Sequence, residues 1–409
     1  MQIIPTIVSQ HAEEAAFLWL LRDNAVYAPH YTLKDLVRLD DRVEAHLDGL
    51  RVAGDPGWEL VKEAAAGGGA GAEFAAAVLA LEGGKEERVT FVVEQGCATP
   101  AKSRGLVSAL GWLPYGRVKE TIRTLRTSPR TPLKRVGIAA AAVQRQHPEF
   151  SLSRALIDND PLLRRRVLQA VGEFGATDVL TTLKPFLIND DPALRFGAAW
   201  AGTLVYNDPL ALSTLQGIAE AGKRFAEEAA NLAVRRPDIG PANRWRVKLG
   251  ATRAAVVAAG ALGDPDALPW LVEQMKSPPL ARLAGEAFAT ITGVHLSYDK
   301  LDGPKPEGFE PTPSDNPADE DVSADPDDNL AWPSVEKVQK WLQARTSSFP
   351  RGVRHLLGKP ITPDALRLVL REGRQRQRAA AALELSLQKR GTPLWEVRAP
   401  GFRQREWLA

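Results

Sequence analysis

Apolar positions in this chain recur at helical spacing, and they do so in paired stripes. In DNDPLLRRRVLQAVGEFGATDVLTTLKPFLI, Val167, Val171 and Phe174 share one helical face, and Leu180, Leu183 and Leu187 share the next. An Asp-Pro step opens the first helix and a glycine closes it. Aspartate accepts from the unsatisfied N–H groups of a first turn, proline is tolerated there, and glycine terminates helices. NDDPALRFGAAWAGTL, ATRAAVVAAGALGDPDALPWLVEQM and PPLARLAGEAFATITG repeat the plan. The pattern predicts a series of helical hairpins.

Flanking segments carry simpler patterns. A helix over residues 12–22 precedes one capped by Thr32, in which Leu36, Val43, Leu47 and Leu50 line one face. Asp40 falls on that same stripe. A buried carboxylate must find partners, so Asp40 is structural glue or a functional acid, with glue favoured. ERVTFVVEQG (87–96) is the best β-like run, with a helix as the alternative. Towards the end, Pro333-Ser334 opens a helix with Val335, Val338, Trp341 and Leu342, and Thr362-Pro363-Asp364 opens another. Residues 374–391 read as an amphipathic helix and a displaced eighth repeat. The tail TPLWEVRAPGFRQREWLA supplies aromatics to cap the open end of a stack.

Seven arginines set the register of the hairpins: Arg104, Arg135, Arg164, Arg195, Arg224, Arg253 and Arg282, spaced by 31, 29, 31, 29, 29 and 29 residues. A period near 30 residues marks stacked two-element units. Five residues after each stand Ala109, Ala140, Gln169, Trp200, Ala229, Ala258 and Ala287, mostly small residues that let helices approach closely. Three residues before stand Pro132, Pro161, Pro192 and Pro279 in four units. Asp160 and Asp191 are placed to cap. The ladder arginines are expected to reach the aspartates of adjacent turns (Asp158, Asp160, Asp190, Asp191, Asp264, Asp266) as internal stitching, since such charge-assisted pairs fix orientation.

These units resemble HEAT repeats. The expected fold is an all-α, right-handed α-solenoid of helical hairpins, with an acidic disordered insertion before the C-terminal repeat. The opening FLWLLRDNAVYAPHYTLKDLVRLDDRVEAHLDGL and the ending REGRQRQRAAAALELSLQKRGTPLWEVRAPGFRQREWL resemble the two ends of a proteobacterial family. Its members are often encoded within type VI secretion gene clusters, and it has no assigned catalytic residues. That resemblance implies an accessory or scaffolding role in the secretion system.

Charge changes the picture of organisation. The net charge is +2, but counting along the sequence gives −8 for residues 1–100, +10 for 101–282, −10 for 283–332 and +10 for 333–409. The expected divisions are an N-terminal helical cap region (1–99), repeats (100–300), an acidic Pro-rich linker (301–333) and a C-terminal repeat with capping tail (334–409). The linker has too few aliphatics to offset the cost of ordering, and it is a candidate acidic strap across a basic solenoid. The start lacks a basic region before its apolar stretch, and no apolar run approaches 18 residues, so a cytoplasmic protein without membrane insertion is expected.

Candidate chemistry is sparse. No two of the six histidines stand at i, i+3 or i, i+4, and HExxH is absent, so no metal and no cofactor is expected. His30 and His46 flank a helix with Asp35, Asp40, Asp41 and Glu44, for which a solvated acidic face is favoured over a cation site. GGGAGAE (67–73) lacks the lysine of a phosphate loop, and lone Cys97 has no histidine nearby in sequence. The basic clusters offer candidate partner-binding residues: Arg165 and Arg166 beside Arg164, Arg235 and Arg236, then Arg244, Trp245, Arg246 and Lys248. A non-enzymatic scaffold for a protein partner, with a type VI secretion component as the candidate, is the favoured reading. The alternative is a nucleic-acid binder, glycosylase-like or non-catalytic, using a basic concave face with Trp200, Trp245 and Trp270.

Overall fold

The structure is a computed structural model that describes residues 4–146, 151–310 and 325–408. His147 and residues 311–324 of the acidic linker lie outside the described residues. Among those described are twenty-two α-helices and one two-stranded hairpin, an all-α solenoid of helical hairpins. No described helix is long and apolar enough to cross a membrane. The chain divides into two compact units: Met1–Pro185 with Arg371–Arg376 and Lys389–Ala409, and Phe186–Leu370 with Gln377–Gln388.

Unit 1 begins with two long helices, α1 (Pro5–Ala25) and α2 (Leu33–Ala53). Hairpins follow: α3 (Asp55–Gly67) with α4 (Ala70–Gly83), α5 (Glu86–Ala98) with α6 (Pro100–Trp112), α7 (Tyr115–Thr127) with α8 (Thr131–Val143), and α9 (Leu152–Leu156) with α10 (Pro161–Phe174), then short α11 (Leu180–Leu183). Helices α4, α6, α8 and α10 pack side by side as one layer. Local chemistry explains the ends. Thr32 and Asp35 form a reciprocal capping box at α2, and Asp160 accepts from Leu163 N at 2.7 Å at α10. Ala109 and Ala140 are fully buried, so the layer closes through small side chains as the register implied. The β-like run is α5: with Val92 buried and α6 packed beside it, tertiary burial overrides strand propensity.

Unit 2 continues with α12 (Pro192–Ala201), α13 (Pro209–Glu220), α14 (Ala226–Ala233), α15 (Ile239–Lys248), α16 (Arg253–Leu262), α17 (Leu268–Gln274), α18 (Pro278–Thr292) and α19 (Val335–Gln343). Helices α12, α14, α16 and α18 form one layer. The hairpin His355–Leu356 with Lys359–Pro360 docks on the end of that layer. His355 N donates to Gly263 O at 2.7 Å and Leu357 N to Thr290 O at 2.7 Å. Its core gathers Val256, Leu271, Phe288 and Val338. The remaining helices are α20 (Pro363–Glu372), α21 (Gln375–Gln388) and α22 (Gly401–Leu408).

Two segments differ from their sequence expectation. The described ends of the acidic linker are ordered: Leu301 is buried, Ser334 N donates to Leu301 O at 2.8 Å, and Gly303 N to Trp332 O at 2.9 Å. The aromatic tail, expected at the open end of the stack, lies in unit 1 against α1, α2 and α6. Arg22 Nη2 donates to the carbonyls of Arg398 and Ala399, at 2.8 and 2.9 Å. Gly401 N donates to Asp40, and Arg403 reaches the α6 carbonyls of Gly111 and Trp112. Gly175 ends α10 at φ +66°, and a Cβ there would stand 2.8 Å from the Gly391 backbone, so glycine permits the tail's approach.

Candidate functional site

Six of the seven ladder arginines fall on α6, α8, α10, α12, α16 and α18, and Arg224 lies in the turn before α14, but their described partners are not the turn aspartates. In unit 1, Arg104 on α6 pairs with Asp23 on α1, and Arg164 Nε donates to Leu156 O at 3.2 Å. Half-buried Arg135 is near enough to Cys97 to affect its charge. In unit 2, Arg195 Nη1 donates to Asn189 O at 2.7 Å. Exposed Arg224 lies 4.7 Å over the ring of Phe225. Phe196 and Phe225, the residues following Arg195 and Arg224, stack with ring centroids 4.6 Å apart.

The last two rungs hold the end of the acidic linker. Arg253 contacts Asp327 through Nη1–Oδ2 at 2.7 Å and Nη2–Oδ1 at 2.8 Å, while its Nε reaches Glu227 at 2.8 Å. Arg282 donates to Asp325 at 2.6 Å and to Asp327 O at 3.0 Å, and lies 4.7 Å over the Trp332 ring. Asp327 is only 3% exposed. The side-chain hydrogen bonds to Asp327 hold Arg253 well above the usual arginine range, against the cost of burial.

Five of the six turn aspartates meet other partners, so the expected stitching takes another form. Asp160 and Asp191 act as helix caps, Asp191 accepting from Ala193 N at 2.7 Å. Asp158 pairs with Lys134 at 3.5 Å, Asp264 accepts from Asp266 N at 3.1 Å, and Asp266 meets Arg351 at 3.3 Å.

Of the candidate partner-binding residues, the structure exposes three: Arg165, Arg244 and Lys248. The others are directed inward. Arg166 Nη2 donates to Glu173 at 2.6 Å. Arg235 is buried against Glu384, and Arg236 donates to the carbonyls of Thr203, Leu204 and Leu387. On α15, helical periodicity sends Arg244 and Lys248 outward while Trp245 donates to Glu220 at 2.7 Å. Arg246 donates to Asn243 and lies 4.5 Å over Trp270. Trp200 and Trp270 are half-buried.

Several buried charged groups escaped sequence reasoning because their partners are remote in the chain. In unit 2, Glu384 joins Arg235 and Arg354, Arg354 Nη2 at 2.5 Å. In unit 1, burial opposes ionisation of Glu396, but Arg398 and Arg145 outweigh it and hold the carboxyl down at about 2. Asp40 is fully buried on Arg22 at 2.8 Å, the glue its stripe position suggested. Asp35 and Glu44 are likewise engaged, with Thr32 and with Arg51. Burial pushes the Cys97 thiol up to about 11, unsuited to a nucleophile. His11 and His46 meet Nδ1 to Nδ1 at 3.2 Å, yet no group of three metal-ligating side chains occurs among the described residues. Glu73 is fully buried with both oxygens unpaired, and burial raises it to about 8.

A cavity of about 520 Å³ also opens in unit 1, between α1, α6, α8, α10 and residues 396–400 of the tail. Arg104 and Arg165 stand along it, with Tyr27 and Trp112 among its walls.

Against known proteins, a family model described as HEAT repeats matches residues 149–235, about a fifth of the chain. No curated protein matches the sequence. Among solved structures the chain is similar to an engineered protein determined by the Northeast Structural Genomics Consortium. The identity is 13%, covering 68% of this chain and 93% of that chain, with a TM-score of 0.32. The match from 149 to 235 takes in α9 through α14, so these hairpins are similar to HEAT repeats, within an all-α solenoid.

Proposed function

We propose that the protein is a non-catalytic scaffold that binds an acidic, extended segment of another protein along the arginine ladder of unit 2. HEAT repeats commonly serve as protein-interaction scaffolds. The observation that carries the reading is the grip of Arg253 and Arg282 on Asp325 and Asp327. Two rungs of the ladder already recognise a short Asp-Pro-Asp segment by bidentate charge pairing and by a backbone carbonyl. Those contacts suit any chain of the same chemistry. Arg195 on α12 and exposed Arg224, in the turn before α14, continue the ladder. The partner's setting rests on the resemblance of the two termini: we assign the scaffold to a type VI secretion system, in the cytoplasm.

The test is recovery of secretion components with the full chain from its native cell, compared with an Arg224→Glu variant of equal melting temperature. Loss of those components in the variant is expected. Recovery unaffected by charge reversal contradicts ladder binding. Duplex DNA binding whose logarithm falls steeply with log salt would favour the nucleic-acid alternative instead.

A further inference from the structure

The cavity of unit 1 carries chemistry that the ladder reading does not use. Its volume, about 520 Å³, suits a small organic ligand. The two carboxylates along it are already committed: Asp23 pairs with Arg104, and Glu396 with Arg145 and Arg398. The unspent groups are donors. Arg165 is exposed and, among the described residues, has no hydrogen-bond or ion-pair partner. Ser108 Oγ accepts from Trp19 Nε1 at 2.8 Å, and Tyr27 Oη accepts from Arg398 at 3.2 Å, so each hydroxyl keeps its own proton to donate. Beside these donors lie Val107, Val143 and the Trp112 ring, which is held edge-on between Phe74 and Phe402.

We propose that this cavity is a binding site for a small organic oxyanion, a carboxylate or phosphate carried on an apolar stem. Arg165 takes the oxyanion, Ser108 and Tyr27 donate to its remaining lone pairs, and the stem lies against Trp112, Val107 and Val143. A cation could find no uncommitted acceptor among Asp23 and Glu396, and a purely apolar ligand would make no use of the three donors. The site is independent of ladder binding, so it stands or falls separately from it.

The test titrates the full chain by calorimetry with phenyl phosphate and with benzoate, using benzyl alcohol as the uncharged control and inorganic phosphate as the stemless one. Saturable binding of at least one organic anion is expected, weakened at least about tenfold in Arg165→Ala and in Val107→Trp, which fills the cavity. Benzyl alcohol should not bind, and inorganic phosphate should bind more weakly than phenyl phosphate. Arg165 is exposed and unpaired, so its variant should melt like the wild type and keep the test valid if Val107→Trp does not fold. The proposal is overturned if neither anion saturates by about 10 mM. It is equally overturned if Arg165→Ala binds as well as wild type, or if benzyl alcohol or inorganic phosphate binds as tightly as the organic anions.

Discussion

Arg253 holds Asp327 through two parallel N–H···O contacts of 2.7 and 2.8 Å, so a rung of the repeat register is closed by a residue of the acidic linker. A planar guanidinium meeting both carboxylate oxygens fixes direction as well as distance. Arg282 grips the same turn at Asp325 and at the Asp327 carbonyl. The acidic strap inferred from charge segregation therefore has a definite footing, on Arg253 and Arg282.

Replacing Asp327 by asparagine keeps the shape but removes the charge and one strong acceptor. Because the Asp327 side chain is only 5% exposed, a loss of about 1–3 kcal/mol is expected. A double-mutant cycle with Arg253→Gln checks it. A coupling energy near zero would mean the contact contributes nothing.

Glu384 stands between two arginines, and its removal strands both. Glu384→Ala should destabilise unit 2 by about 3–5 kcal/mol, whereas replacing Glu384 and Arg235 together with apolar residues should cost much less. Denaturant melts of the full chain, followed by hydrogen exchange in α16 and α21, read this out. Equal losses in the single and double variants would show that the charges are not coupled.

In unit 1 the tail supplies partners for buried charge. Asp40→Ala takes from buried Arg22 its carboxylate, leaving it only the carbonyls of Arg398 and Ala399, and removes the acceptor of Gly401 N. The tail from 396 to 408 should then exchange its amide hydrogens and be cleaved by protease at least about tenfold faster, a loosening of more than about 1.4 kcal/mol. Unchanged protection of the tail would contradict its dependence on the Arg22–Asp40 pair.

Glu73 gives a pH dependence of definite sign. Its folded value, about 8, exceeds the unfolded 4.5, so between those values the folded chain holds a proton that the unfolded chain has lost. Stability contributed by the neutral carboxyl is full below about pH 4.5 and falls as pH rises through about 8, by at most about 1.4 kcal/mol per pH unit. Glu73→Gln should abolish that slope and melt higher than wild type at about pH 9. An identical slope in the variant would assign the pH dependence to another group.

Much of the fold was legible because local signals and burial agree. The Asp-Pro caps at Asp160 and Asp191, the buried alanines five residues past five of the seven arginines, and Asp40 on its apolar stripe all appear in the structure as their chemistry requires. Residues 87–96 stay open between strand and helix in the sequence because a β-branched run says nothing of the helix packed beside it. The ladder's described partners differ from the expected aspartates, of which Asp160 and Asp191 each spend one oxygen on the backbone N–H groups of a helix start. Basic runs were only partly legible as surface: α15 turns Arg244 outward and Arg246 inward within three positions. Arg235 with Glu384, and Arg145 with Glu396, are far apart in sequence and leave no local trace. The cavity of unit 1 likewise needs a tail brought back from the end of the chain.

The central claim is that the unit 2 ladder recognises acidic segments and that the linker occupies part of it. The most direct measurement is the affinity of a synthetic peptide spanning residues 324–333 for wild type and for the Asp325→Asn, Asp327→Asn double variant, whose arginines are uncovered. The expected result is saturable, salt-sensitive binding to the variant, at least about tenfold tighter than to wild type, and lost when Arg253 and Arg282 are also changed to glutamine. No binding to the variant, or equal binding with and without those arginines, would contradict the claim.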